Sequence, residues 1–108
     1  MTIVTTGRPV FVGLIADGTA DASWLGTYSV HERFYSGSMF YICRDSSVTA
    51  VYQVGGLTYN SLVQVPSSGL CVIDLPPAGT HAYKVQMLNG NGASHTYVNS
   101  AKLIAFEL

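Results

Sequence analysis

The sequence predicts an all-β, antiparallel fold, and three observations carry that prediction. Apolar and polar residues alternate in short runs: from Ala82 to Met87, the side chains of Tyr83, Val85 and Met87 fall on one face and those of Ala82, Lys84 and Gln86 on the other. That period of two marks a half-buried strand. Gly, Pro, Asn and Asp interrupt the runs at intervals of about 8–12 residues, the spacing of sandwiches and barrels. No stretch follows the 3.6-residue period of an amphipathic helix.

Taken in order, Thr2 to Thr6 favours β-structure and predicts an arm or edge strand. Gly7-Arg8-Pro9 closes it, setting residues 1–8 apart from a single domain over residues 9–108. Pro9 to Ile15 is a core strand with Val10, Val12 and Leu14 on one face and Phe11, Gly13 and Ile15 on the other, ended by an Asp17-Gly18 turn. Trp24, Leu25 and Tyr28 indicate a short strand within the less regular stretch Ala20 to Gly37. Ser38 to Arg44 and Ser47 to Val54, joined at Asp45-Ser46, form a hairpin closed off by Gly55-Gly56. Leu57 to Val65 reads equally as loop or short strand, and Pro66-Ser67-Ser68-Gly69 is a break. Leu70 to Leu75 is apolar on both faces and predicts a strand buried on both. A proline-glycine corner then leads into the strand containing Tyr83, the Asn-Gly-Asn-Gly turn from Asn89 to Gly92, a Ser/Thr/Tyr strand, and the terminal strand Lys102 to Leu108. The expected core is Val10, Val12, Leu14, Phe40, Ile42, Val51, Val72, Tyr83, Val85, Leu103 and Ala105.

Composition narrows the function classes. Charged residues make up 10% of the 108, against about 25% in a typical domain. With 48% hydrophobic residues and seven tyrosines, much of the exterior is neutral, and that predicts partners covering it. Arg8, Arg33, Arg44, Lys84 and Lys102 are scattered and the net charge is −1, which leaves no basic footprint for nucleic acid. No signal peptide and no apolar stretch of bilayer length is visible, which predicts synthesis in a cytoplasm without membrane insertion. Cys43 and Cys71 sit in apolar alternating runs and read as free buried thiols, with a disulfide between them as the alternative.

Catalytic signatures are weak. His31, His81 and His95 lie at no metal-ligand spacing from one another and read as surface or interface residues, with His31 beside Glu32 the best contributor to a site shared between copies. No serine stands in a G-x-S-x-G elbow. The acids Asp17, Asp21, Glu32, Asp45, Asp74 and Glu107 fall mostly in or beside turns rather than as a pair flanking a substrate. Gly90-Asn91-Gly92 is a hairpin tip, since no helix follows it to cradle a phosphate. The sequence therefore predicts no enzyme, no cofactor and no metal.

The stretch DLPPAGTHAYKVQ from Asp74, the terminal KLIAFEL and the early GRPVFVGLIADG together resemble the jelly-roll domains of phage tail-fibre tips and capsid-decorating proteins. There a similar proline-glycine corner and a similar last strand recur together. The resemblance spans most of the chain and is weakest from Ala20 to Gly37. It implies an antiparallel β-sandwich, a jelly roll of about eight strands. It also implies a homo-oligomer, most simply a trimer, on a virion surface, made in a host bacterial cytoplasm and contacting capsid or tail proteins. Two non-enzymatic roles follow. The first is a decoration or cement protein that stabilises the shell, in keeping with a chain that shows no shaft or stalk. The second is a receptor-binding head that recognises a host-surface glycan or protein. Tyr-rich neutral surface suits either. The interface or recognition candidates are Phe34, Tyr35, Tyr52, Asn89, Asn91, Tyr97 and Phe106, with the Thr2 to Thr6 arm as a further contributor through strand addition.

Overall fold

The computed structural model describes residues 1–29, 36–56, 62–89 and 94–108. These residues are all-β: β1 (Thr2–Thr5), β2 (Val10–Ala16), β3 (Trp24–Ser29), β4 (Ser36–Arg44), β5 (Ser47–Gly56), β6 (Leu62–Pro66), β7 (Cys71–Asp74), β8 (Gly79–Asn89), β9 (Ser94–Asn99) and β10 (Ala101–Glu107), with one short 3-10 turn at Ser67–Gly69. All the pairings are antiparallel, in three sheets ordered β1-β8-β4-β5, β10-β2-β7 and β6-β3-β9. The Asn-Gly turn candidates Asn91 and its neighbours, along with His31, Glu32, Phe34 and Tyr35, lie outside the described residues.

The two three-stranded sheets run in line. Ala101 pairs with Ala16 at the end of β2, and Asn99 pairs with Trp24 at the start of β3. On the other side Gly13 pairs with Cys71 and Trp24 with Pro66. Three passes of the chain are therefore each broken into two strands at a shared bend, so the ten strand segments, where about eight strands were expected, make seven passes. The breaks are the Asp17–Ser23 loop, the 3-10 turn, and Ser100, a non-glycine residue at φ +48°. Hydrogen bonds stitch across them: Asp17 N donates to Ser100 O at 3.1 Å, Asn99 Nδ2 to Ala22 O at 2.6 Å and Leu14 N to Leu70 O at 3.1 Å, while the Ser23 and Ser67 hydroxyls meet at 2.5 Å.

The architecture is compatible with a β-sandwich: the four-stranded sheet covers the inner faces of both three-stranded sheets. Extents of 50 × 31 × 15 Å suit a flat, elongated body two sheets thick, given the roughly 10 Å spacing of stacked sheets. Strand parity selects the core. Val10, Val12 and Leu14 of β2, Leu25 of β3, Phe40 and Ile42 of β4, Val54 of β5, Leu70 and Tyr83 are buried together, with Val72, Val85, Leu103 and Ala105 packed against them. Val51 is a correction: it is 54% exposed, because Ala50, Tyr52 and Val54 are the inward residues of β5 and an odd neighbour must point out. β7 is a second correction. Val72 faces the core, but Ile73 is 51% exposed and Cys71 is exposed, since β7 is the edge strand of a sheet covered on one side. Cys43 is buried, and both thiols are free.

Polar groups tie the layers together at the β1 end. Arg44 Nη1 donates to both carboxylate oxygens of Asp74, at 2.9 and 2.8 Å, and the hydroxyl of fully buried Tyr83 donates to Asp74 Oδ2 at 2.7 Å. Arg44 and Tyr83 belong to the four-stranded sheet and Asp74 to β7, so the cluster clamps one layer to the other. Burial, with Asp74 beside it, pushes the Tyr83 phenol far above its ordinary range. Thr6 N–H and Oγ1 both donate to Glu107 Oε1, which fastens the segment after β1 to the end of β10 and lowers the Glu107 carboxyl.

Candidate interaction surface

Among the described residues, three places gather chemistry: a buried histidine and the two outward faces of the three-stranded sheets. The histidine is His81 on β8. Its Nδ1 lies 2.8 Å from Asp45 Oδ2 and its Nε2 lies 2.8 Å from the Pro77 carbonyl. A neutral imidazole donates through one nitrogen only, so two acceptors favour the imidazolium, and the His81 pKa is raised. Asp45 sits at the β4–β5 turn with φ +53° and also accepts from the Ala82 N–H at 3.0 Å, which holds its carboxyl low. His81 is thus buried within the chain and structural rather than the surface or interface residue expected. Every group of the pair is engaged, which makes it a clasp on the hairpin turn. Among the described residues no group of three or more His, Cys, Asp or Glu side chains is placed to hold a metal.

The outward face of β10-β2-β7 is apolar. Its pairing rows are Phe106–Phe11–Ile73, Ile104–Gly13–Cys71 and Lys102–Ile15, with Leu75 just beyond. The Phe11 and Phe106 rings lie 5.3 Å apart at 31°. Phe106 is 50% exposed and Leu75 72%. Gly13 is required by close approach: a Cβ there would stand 2.8 Å from Cys71 Cβ and 3.0 Å from the Phe11 ring. Lys102 is the one charged residue in these rows. β2, β7 and β10 are largely apolar on both faces in sequence, and the described residues cover only one of them.

The outward face of β6-β3-β9 is different. Its rows are Asn99–Trp24–Pro66, Tyr97–Gly26–Gln64 and His95–Tyr28–Leu62. Trp24 leans over Gly26, where a Cβ would stand 2.6 Å from its ring. Tyr97, 42% exposed, lies 6.0 Å from Trp24, and Tyr28 lies 6.3 Å from His95. The face is a row of aromatic rings edged with amide groups, and none of its nine residues is Asp, Glu, Lys or Arg. Its inner side carries Leu25, Val63 and Val65 in or against the core and also hydroxyls: Thr27 is completely buried, and the hydroxyl of fully buried Ser38 on β4 meets the Thr96 hydroxyl at 2.6 Å.

The sequence candidates fall in different places. Phe106 belongs to the apolar face and Tyr97 to the aromatic one. Asn89, at the end of β8, accepts a hydrogen bond from Thr96 Oγ1. Tyr52 turns inward, half-buried, with its hydroxyl against Gly69. Phe34, Tyr35 and Asn91 lie outside the described residues. Phe11, Ile73 and Ile104 were not among the candidates, although the two-sided apolar runs containing them were the available signal. Trp24, Tyr28 and His95 were not among them either; for the first two the alternation Trp24, Gly26, Tyr28 against Leu25 and Thr27 was the available signal. Comparisons with family models, with curated proteins and with solved structures return no match.

Proposed function

We propose that the chain is a non-enzymatic jelly-roll protein of a phage virion surface, a decoration or cement protein that binds the capsid shell and stabilises it. The observation that carries this reading is the apolar outer face of β10-β2-β7. A contiguous patch of this kind usually marks an interface, and the chain has few charges elsewhere to keep such a patch in water. A virion-surface location, with synthesis in the host bacterial cytoplasm, and a homotrimer are the assembly that the family resemblance favours, with the apolar face seated on the shell or on a neighbouring copy. The jelly-roll reading is supported by the nesting of the pairs. The β4–β5 hairpin is innermost, the passes containing β2/β3 and β6/β7 pair outside it, and β1 pairs with β8 outside those. A single long hairpin rolled into two sheets has this nesting.

Imaging of intact virions that carry the chain tests the reading. Copies at regular positions on the shell support it; copies on no part of the particle overturn it. Copies confined to the tail would favour the second reading, a receptor-binding head for a host-surface glycan or protein, for which the aromatic, amide-edged face of Trp24, Tyr28, His95 and Tyr97 is the supporting observation.

A further inference from the structure

A cleft of about 290 Å³ opens on the flank of the molecule between β8 and the β9–β10 pass, lined by Leu14, Val85, Met87, Val98, Ala101 and Leu103. Its lining is entirely aliphatic or thioether, and its volume is about twice the roughly 150 Å³ that holds a benzene ring. Along its rim runs half a strand edge. β1 pairs with β8 only over Gly79 to Ala82, and the Met1 amine and carbonyl extend that ladder to Tyr83. On its other side β8 pairs with β4 as far as Asn89. Beyond Tyr83, therefore, the β1 side of β8 has no strand partner among the described residues. Tyr83 turns its N–H and C=O toward β1, so by the period of two Val85 and Met87 turn theirs to the same open side. Those two residues also line the cleft.

We infer that this flank is an acceptor site for an extended segment of another polypeptide, added as a strand antiparallel to β8 in line with β1. Only a peptide backbone meets both demands of the site. A lipid chain or small apolar molecule would fill the cleft and leave the Val85 and Met87 backbone groups unpaired. The segment recognised carries apolar side chains at the alternate positions opposite Val85 and Met87, as Ile3 does further along β1, where it packs against the core. It carries no charge at those positions, since no lining residue is charged. This is strand addition to a sheet edge, with the backbone giving affinity and the cleft giving selectivity.

The test places such a segment in reach. The full chain is extended ahead of Met1 by Thr-Val-Thr-Ile-Thr, which puts the Ile opposite Val85 and the Val opposite Met87, and is compared with a Gly-Ser-Gly-Ser-Gly extension. The alternating extension is expected to raise the melting temperature by about 4 °C or more. It should also slow amide exchange at Val85 and Met87 at least about tenfold. Met87→Pro removes the outward N–H without taking a donor from the β4 ladder, and Met87→Lys charges the cleft; either should abolish both gains while the unextended variants still fold. No gain, an equal gain from the glycine-serine extension, or a gain that survives both variants overturns the inference. So does self-association of the unextended chain that Met87→Pro removes, because the occupant would then be a second copy.

Discussion

The two halves of the bent three-stranded sheet are built from the same three passes of chain, yet they turn opposite chemistries outward. On the β10-β2-β7 half, the central Gly13 lies under Phe11 and is flanked by Ile104 and Cys71. On the β6-β3-β9 half, the central Gly26 lies under Trp24 and is flanked by Tyr97 and Gln64. The same local device, a glycine roofed by the aromatic two residues before it, serves an apolar face in one case and a polar-aromatic face in the other. The inner sides differ less: Val10, Val12 and Leu14 line one half, and Leu25, Val63 and Val65 line the other beside the buried Thr27 and Ser38, with Thr27 Oγ1 having no hydrogen-bond partner among the described residues. One core cluster runs under both halves, and the β6-β3-β9 half adds buried hydroxyls to it.

The largest expected effect tests where stability resides. Asp74→Ala leaves the Arg44 guanidinium and the buried Tyr83 hydroxyl without their shared acceptor, and should cost about 3 kcal/mol. Gln64→Ala on the other half should stay within about 0.5 kcal/mol, as chemical denaturation of both variants will show. Next in size is a reciprocal swap at two fully buried sites. Val12→Thr should destabilise by about 2 kcal/mol through an unpaired hydroxyl, and Thr27→Val should stabilise by about 1 kcal/mol by removing one. A Thr27→Val that destabilises would mean that the hydroxyl-lined interior is a requirement of that half.

Gly13→Ala and Gly26→Ala should each cost about 1–2 kcal/mol from overpacking. They should differ in fluorescence, because the chain has one tryptophan: only Gly26→Ala displaces the Trp24 ring and shifts its emission. Ile73→Ser and Phe106→Ser should change monomer stability by less than about 1 kcal/mol. They should nonetheless abolish any concentration-dependent association seen by light scattering, which Tyr97→Ser should leave intact.

The smallest effect is on pH dependence. A raised His81 pKa means that the folded state holds a proton which the unfolded chain releases earlier. The stability this adds is complete below the ordinary imidazole value of 6.5 and is lost as pH rises through the folded value. Arg44, which faces the pair, opposes the shift, and Asp45 sustains it. Melting temperatures across that window should fall in the parent and stay flat in His81→Gln.

Much of this was legible in the sequence wherever one face of a strand is apolar and the other polar. The β4–β5 hairpin, the inward faces of β2 and β8, and Leu103 with Ala105 follow from alternation alone. Where both faces are apolar the pattern loses its direction. Leu70 to Leu75 resembles a strand covered twice, and nothing local says that one covering layer is missing. Val51 failed for a related reason, since valines lie on both faces of β5. The His81–Asp45 clasp joins residues 36 apart, so no spacing rule reaches it. The aromatic face was hidden because Trp24, Tyr28, His95 and Tyr97 come from two distant strands and meet only through register.

Ser100 governs more than a local kink. In β9 the odd-numbered residues His95, Tyr97 and Asn99 look outward, while in β10 the even-numbered Lys102, Ile104 and Phe106 do so. One residue at positive φ therefore resets the phase of the strand, much as an inserted base resets a reading frame. Deleting Ser100 would let the period of two run straight from Asn99 to Ala101 and leave Lys102 outward as now, whereas drawing Ser100 into a regular extended strand would turn Lys102 inward and Glu107 outward. Along this pass, the assignment of inside and outside is discrete. Substitutions elsewhere can tune either face gradually, but straightening the chain at Ser100 without shortening it exchanges the two.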